Sequence, residues 1–199
     1  DLADQMQATH RGPDFIAIDG GEGGTGAAPL VFSDTVAYPF RIGFAKVFDI
    51  FYSRGLHSEI TFIGSGKLGY PDTALAAFAL GCDMVNVGRE AMMAIGCIQA
   101  QRCHTGHCPT GVATHSAWLS RGLNPSDKSV RVMNYIHALQ DEILRLCHSV
   151  GVTHPALIPE SVVEIVNQEG TAVSILNYYG LLSIDQRLQE SDFHYLESI

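Results

Sequence analysis

The sequence predicts a parallel α/β fold, and three observations carry that prediction. Short apolar runs rich in β-formers occur at 14–19 (DFIAID), 59–63 (EITFI) and 83–88 (DMVNVG). The first two lead through glycines into helix-patterned stretches, and the third leads through Gly88 into REAMMAIG. Strands this short, joined by crossovers that bury a helix, form parallel sheets, closed as a barrel or open and doubly wound.

Taken in order, DFIAID shows no alternation and reads as a strand covered on both faces. The stretch GGEGGTGAAP follows, with five glycines between Gly20 and Gly26. Such a run is neither helix nor regular strand. Its bare N–H groups can receive an anion or let a flat ring lie on the main chain, or the run is a plain βα turn. Ile42, Phe44, Val47, Phe48 and Phe51 then recur at helical spacing, with Gly55 as the stop. The strand at 59–63 runs into GSGKLGYPD, where Asp72 is the expected N-cap of TALAAFAL and Gly81 its end.

Beyond the third strand, Ser126 or Asp127 is the expected cap of a long helix. Its stripe is Val130, Met133, Ile136, Leu139, Ile143, Leu146 and Val150, and Gly151 stops it. A short helix is expected at roughly 159–168, after Pro159. The last 30 residues carry no chemical motif, and only part of them reads as helix.

Composition bounds the function. The chain has 199 residues, 46% of them hydrophobic and 17% charged, enough to bury one substantial core. A net charge of −9, with 12 Lys and Arg and no basic stripe, argues against a nucleic-acid partner. No apolar run approaches the roughly 20 residues that span a bilayer. The polar N-terminus resembles no signal peptide and carries no initiator Met, so part of a longer chain is the expectation. A cytoplasmic location is the default, and there cysteines stay reduced or bind metal. Cys82 and Cys147, in apolar or helical surroundings, read as small core residues.

Two places carry chemistry. In α/β folds ligands bind beyond the C-terminal ends of the strands, and in barrels the last two strand ends frequently hold a phosphate. Lys67 and Arg89 sit at two of those ends beside Ser65, Gly66 and Gly88, a set able to neutralise and hydrogen-bond a phosphate dianion. The second place is CIQAQRCHTGHC, from Cys97 to Cys108, with three of the five cysteines in twelve residues. Disulfides would need an oxidising compartment and leave one thiol over. Zinc could take its fourth ligand from His104 or His107, though the spacing fits no familiar finger. An iron–sulfur cluster suits soft thiolates in a compact loop, and three cysteines match three irons.

The three motifs together, GGEGGTGAAP, GSGKLG and the run from Cys97 through CHTGHCPTGVAT, resemble the FMN-binding barrel of glutamate synthase and of smaller glutamate-synthase-like proteins. The resemblance covers residues 12–155. It implies the C-terminal part of a (β/α)8 TIM-type barrel, about three βα units, then an iron–sulfur loop and C-terminal helices. It further implies FMN at the strand ends, near Asp19, Gly20, Gly21, Ser65, Gly66, Lys67, Gly88 and Arg89, and a 3Fe-4S cluster on Cys97, Cys103 and Cys108. No catalytic residue follows from it.

The implied activity is reduction of 2-iminoglutarate, made from 2-oxoglutarate and ammonia or glutamine nitrogen, to L-glutamate. Electrons would come from ferredoxin or an NAD(P)H-linked subunit. The alternative is an incomplete, non-catalytic iron–sulfur fragment, or an electron-transfer partner, of a longer flavoprotein. The chain departs from the family's Ser-Gly-His-Asp, reading Asp19, Gly20, Gly21 and Glu22. The expected division is 1–155 for the barrel portion and 156–199 for a tail.

Overall fold

A computed structural model describes residues 1–22, 30–32 and 36–180. Most of the glycine run, residues 23–29, and the end of the chain, 181–199, lie outside the described residues. Three strands, β1 (Phe15–Asp19), β2 (Thr61–Ser65) and β3 (Met84–Asn86), form a parallel sheet in the order β1-β2-β3. Between them run α2 (Phe40–Tyr52) and α3 (Pro71–Leu80), after an N-terminal α1 (Leu2–Thr9). The short α4 (Arg89–Ala94) follows β3, and the 25-residue α5 (Pro125–Ser149) follows the cysteine loop. A small antiparallel pair, β4 (Glu164–Val166) with β5 (Ala172–Ser174), leads into α6 (Ile175–Tyr179). The mixed α/β class with a parallel sheet is as the sequence predicts.

The core lies on one side of the sheet. Phe40, Phe44, Phe48 and Phe51 recur every three or four residues, so α2 presents them as a single ridge. That ridge meets Phe62 of β2, fully buried, with the Phe48 and Phe62 rings 5.2 Å apart and nearly perpendicular. Edge-to-face geometry of this kind adds about 1 kcal/mol per pair beyond simple burial. Behind it, α3 buries Ala74, Ala76, Ala77, Ala79 and Leu80, small side chains that let α5 approach through Leu139, Ile143 and Cys147. Ile175 and Leu176 of α6 complete the same core. Cys82 and Cys147 are buried small residues, as their surroundings predict.

Several local expectations need correction. The first strand is not covered on both faces: Phe15 is 59% exposed and β1 is an outer strand of the sheet. The second strand begins two residues later than expected, because His57–Glu59 forms a 3-10 turn. Tyr70, not Asp72, is the N-cap of α3, because Pro71 fits the first helical turn and shifts the start upstream. Asn124, not Ser126 or Asp127, caps α5, its side chain accepting from the Ser126 N–H at 3.1 Å.

The helix expected at 159–168 is instead a 3-10 turn followed by β4. Val162, Val163, Ile165 and Val166 are β-branched, and the Asn167 side chain accepts from the N–H groups of Glu169 and Thr171 to close a hairpin. The polar start of the chain, which suggested no element, forms α1 by burying Ala3 and Met6.

Candidate functional site

Parallel pairing brings the C-terminal strand ends into one row. Asp19 lies beside Ser65, and Ser65 beside Asn86. The loops carrying Gly20–Gly21, Gly66–Lys67 and Gly88–Arg89 therefore open at a single edge, as parallel topology requires. Asn86 is a member of this row that the sequence did not single out; its signal was its place at a strand end before Gly88.

Phe40 forms the floor of this edge. A Cβ on Gly64 would come within 2.7 Å of the Phe40 ring and 2.6 Å of the Cys82 sulfur. One on Gly20 or Gly66 would fall 2.5 Å from Phe40 as well. Glycine at these three positions is what lets two strand ends close over Phe40, Gly64 against its ring and Gly20 and Gly66 against its Cα and Cβ. Glu22 finishes the floor by accepting the Phe40 N–H at 2.7 Å, which tethers the first loop to the start of α2. Its carboxylate also sits where positive partial charge collects at a helix N-terminus.

The amides divide into two groups. Gly20 N–H donates to the Ser65 carbonyl and Gly21 N–H to the Tyr38 carbonyl, both at 2.8 Å, so these two shape the edge rather than offer donors. Gly88 is different, since a Cβ there would meet nothing within 4 Å. Lys67 adopts a left-handed backbone, φ +55°, a conformation that costs a non-glycine residue about 1 kcal/mol. The Thr73 hydroxyl, donating to the Lys67 carbonyl at 3.0 Å, holds it there.

A second tie comes from α5. The Tyr135 hydroxyl donates to the Gly69 carbonyl at 2.7 Å, and Gly69 packs under the Glu90 side chain, which is 5% exposed. Burial pushes the Tyr135 phenol up to about 12, with the Glu90 and Tyr70 charges adding to it. The pKa is raised on folding, so the neutral phenol contributes fully below its ordinary value near 10 and that contribution is lost as pH rises through about 12. Tyr135→Phe should lower stability by about 1 kcal/mol and remove this alkaline loss, read by urea unfolding at pH 8 and above pH 10.

The cysteine loop is built separately. Cys97, Cys103 and Cys108 line one small open hollow, together with Ile98, Arg102 and Thr110. Left-handed residues at Gly96, Gln99, Gln101, Gly106 and Gly111 turn the backbone around it. The Gln99 N–H donates to Cys97 Sγ at 3.4 Å. Cys108 is 5% exposed. Burial pushes its thiol up, but the Thr110 hydroxyl and the amides of Ala113, Thr110 and Val112 outweigh it, bringing the pKa down to about 7.

Thr114 locks the loop by donating to the Gly106 carbonyl at 2.5 Å. His107 is held by its own loop, its Nδ1 2.8 Å from the Thr105 carbonyl oxygen. Among the described residues, no group of three or more His, Cys, Asp or Glu side chains is placed to hold a metal ion. Thiolates spread around a hollow and fed by N–H donors fit a cluster, where each takes a different iron.

Fold and site together define an α/β protein with a cation-bearing strand edge and a separate three-thiol centre. The chain belongs to the glutamate synthase family: residues 3–153 match the family described as the conserved region in glutamate synthase. It is 38% identical to glutamate synthase large subunit-like protein YerD of Bacillus subtilis over 89% of its length and 34% of the relative's. It is 41% identical to the archaeal glutamate synthase [NADPH] of Methanocaldococcus jannaschii over 70% of its length and 27% of the relative's. A ferredoxin-dependent glutamate synthase of Pyropia yezoensis shares 30% identity over 69% of this chain and 9% of its own. The chain thus spans about a third or less of these relatives. Among the described residues, no helix is long and apolar enough to cross a membrane.

Proposed function

We propose that this chain is the C-terminal part of an FMN-binding (β/α)8 barrel with its 3Fe-4S loop, working in a glutamate-synthase-type oxidoreductase. The reaction is the reduction of 2-iminoglutarate to L-glutamate, with electrons from a ferredoxin or NAD(P)H-linked donor, in the cytoplasm. The observation that carries this reading is the hollow lined by Cys97, Cys103 and Cys108, with donors aimed at two of the sulfurs. Residues 1–155 form the barrel portion in this reading, and 156–199 are an appended segment.

Each residue has a task. Cys97, Cys103 and Cys108 supply one thiolate each, and the loop amides moderate their charge. Lys67 and Arg89 face the phosphate of FMN from adjacent strand ends, with Ser65, Gly66 and Gly88 around it. Asp19, Gly20 and Gly21 shape the part of the edge nearest the flavin. When bound, the two groups supply hydride transfer and one-electron transfer respectively. The uncovered sheet face, where Phe15 and Met84 are more than half exposed, and the free edges of β1 and β3 suit pairing with the rest of a barrel.

The test is the spectrum of the purified chain. Flavin bands over a broad iron–sulfur shoulder support the whole reading; a colourless protein with stoichiometric zinc overturns it. A shoulder without flavin supports the alternative, a non-catalytic iron–sulfur fragment or electron-transfer partner. For Lys67→Ala the expected result is FMN affinity about 10- to 100-fold weaker, the value of one charge-assisted hydrogen bond. Equilibrium dialysis measures it, and unchanged affinity removes Lys67 from the site.

A further inference from the structure

The first turns of α5 lie against Gly96. The ammonium of Lys128 lies 3.5 Å, and the Arg131 guanidinium 4.0 Å, from where a Cβ on Gly96 would be. Gly96 immediately precedes Cys97. The Lys128 side chain is only 20% exposed, and the Asp127 carboxylate 3.5 Å from it is 61% exposed and well solvated. An independent observation concerns charge. The chain carries −9 overall, yet between Glu90 and Asp127 it has no Asp or Glu at all. The whole cysteine loop is therefore free of acidic side chains, while Arg102 lines its hollow.

We propose that Lys128, assisted by Arg131, is a positioning residue whose fixed positive charge beside Cys97 raises the readiness of the cysteine centre to take an electron. The inference rests on the cluster reading above. An electron delivered there adds negative charge to a site already made negative by three thiolates. A cation held nearby lowers the energy of that reduced state more than of the oxidised one, and so raises the reduction potential. Because Lys128 is mostly covered, salt screens it less than an open surface charge. The helix that bears it is fixed at its start by the Asn124 cap and further on by the bond from Tyr135 to Gly69. A purely structural role is also available to Lys128, since cations near a helix C-terminus satisfy the last carbonyls, here those of α4. Only the electronic role moves a potential.

The experiment uses the full chain reconstituted anaerobically with ferrous iron and sulfide, as wild type, Lys128→Gln, Arg131→Gln, the double variant and Lys128→Arg. Redox titration followed by electron paramagnetic resonance gives each midpoint, and iron and sulfide are assayed alongside. The double variant should hold its electron about tenfold less tightly, a midpoint lower by about 59 mV for a one-electron couple. Lys128→Arg should restore the wild-type value, and Arg131→Gln should give a smaller fall with full iron. A double variant with full iron and an unchanged midpoint overturns the inference alone. A wild type that takes up no iron and sulfide overturns the cluster reading, and the inference with it.

Discussion

Cys108→Ala abolishes cluster assembly: the variant, reconstituted with iron and sulfide, retains no cluster signal, while Cys82→Ala and Cys147→Ala retain it in full. The asymmetry follows from surroundings. Of the three proposed ligands Cys108 has the most complete set of donors, and a thiol brought down to about 7 is substantially ionised near neutral pH. Removing it leaves one iron open and leaves the amides of residues 110, 112 and 113 directed at nothing. Cys147 sits inside the core with its thiol pushed up by burial, the environment of an inert structural cysteine. Assay of iron and acid-labile sulfide on the four proteins measures this. Equal iron in the Cys108 variant and the wild type would remove Cys108 from the ligand set.

The second large effect belongs to Phe40. Phe40 is 1% exposed, its ring filling the space under Gly64 and its Cα and Cβ lying against Gly20 and Gly66. Phe40→Ala should therefore cost about 3–5 kcal/mol, the range for a large aromatic removed from a packed core. Typical domains have only about 5–15 kcal/mol in total, so the variant should unfold at much lower urea. The loss should also loosen the strand edge, lowering FMN affinity without touching a phosphate contact. Gly64→Ala approaches the same contact from the other side, and overpacking there should cost about 1–3 kcal/mol. A Phe40→Ala protein as stable as wild type would mean that the ring is not a packed part of the core under Gly64.

That pair of residues illustrates what sequence could and could not say. The Phe spacing in α2 was readable because helix periodicity is local, and the strand-loop-helix rhythm was readable for the same reason. The glycine clusters were readable as special, but their reason was not. Gly20 and Gly66 yield to a residue 20 and 26 positions away in the chain, and no local pattern encodes that. The Glu22 bond to Phe40 and the Tyr135 bond to Gly69 were hidden by the same distance.

The errors at element ends were local competitions. Pro71 displaced Asp72 as the start of α3, Asn124 displaced Ser126, and β-branched residues with an Asn167 turn defeated the helix suggested by Pro159. Even in α5, where the stripe was clear, Val130 and Met133 remain about half exposed while Leu139 and Ile143 are buried. The three cysteines were the opposite case. Their spacing was visible in twelve residues, and the structure adds that all three line one hollow and that donors serve Cys97 and Cys108.

The most direct measurement of the central claim is the metal and sulfide stoichiometry of the reconstituted chain, taken with its electron paramagnetic resonance spectrum. The account predicts iron and acid-labile sulfide in the ratio of a 3Fe-4S cluster, and a signal from its oxidised form that disappears on one-electron reduction. One tightly held zinc per chain, with no sulfide and no signal, would contradict it.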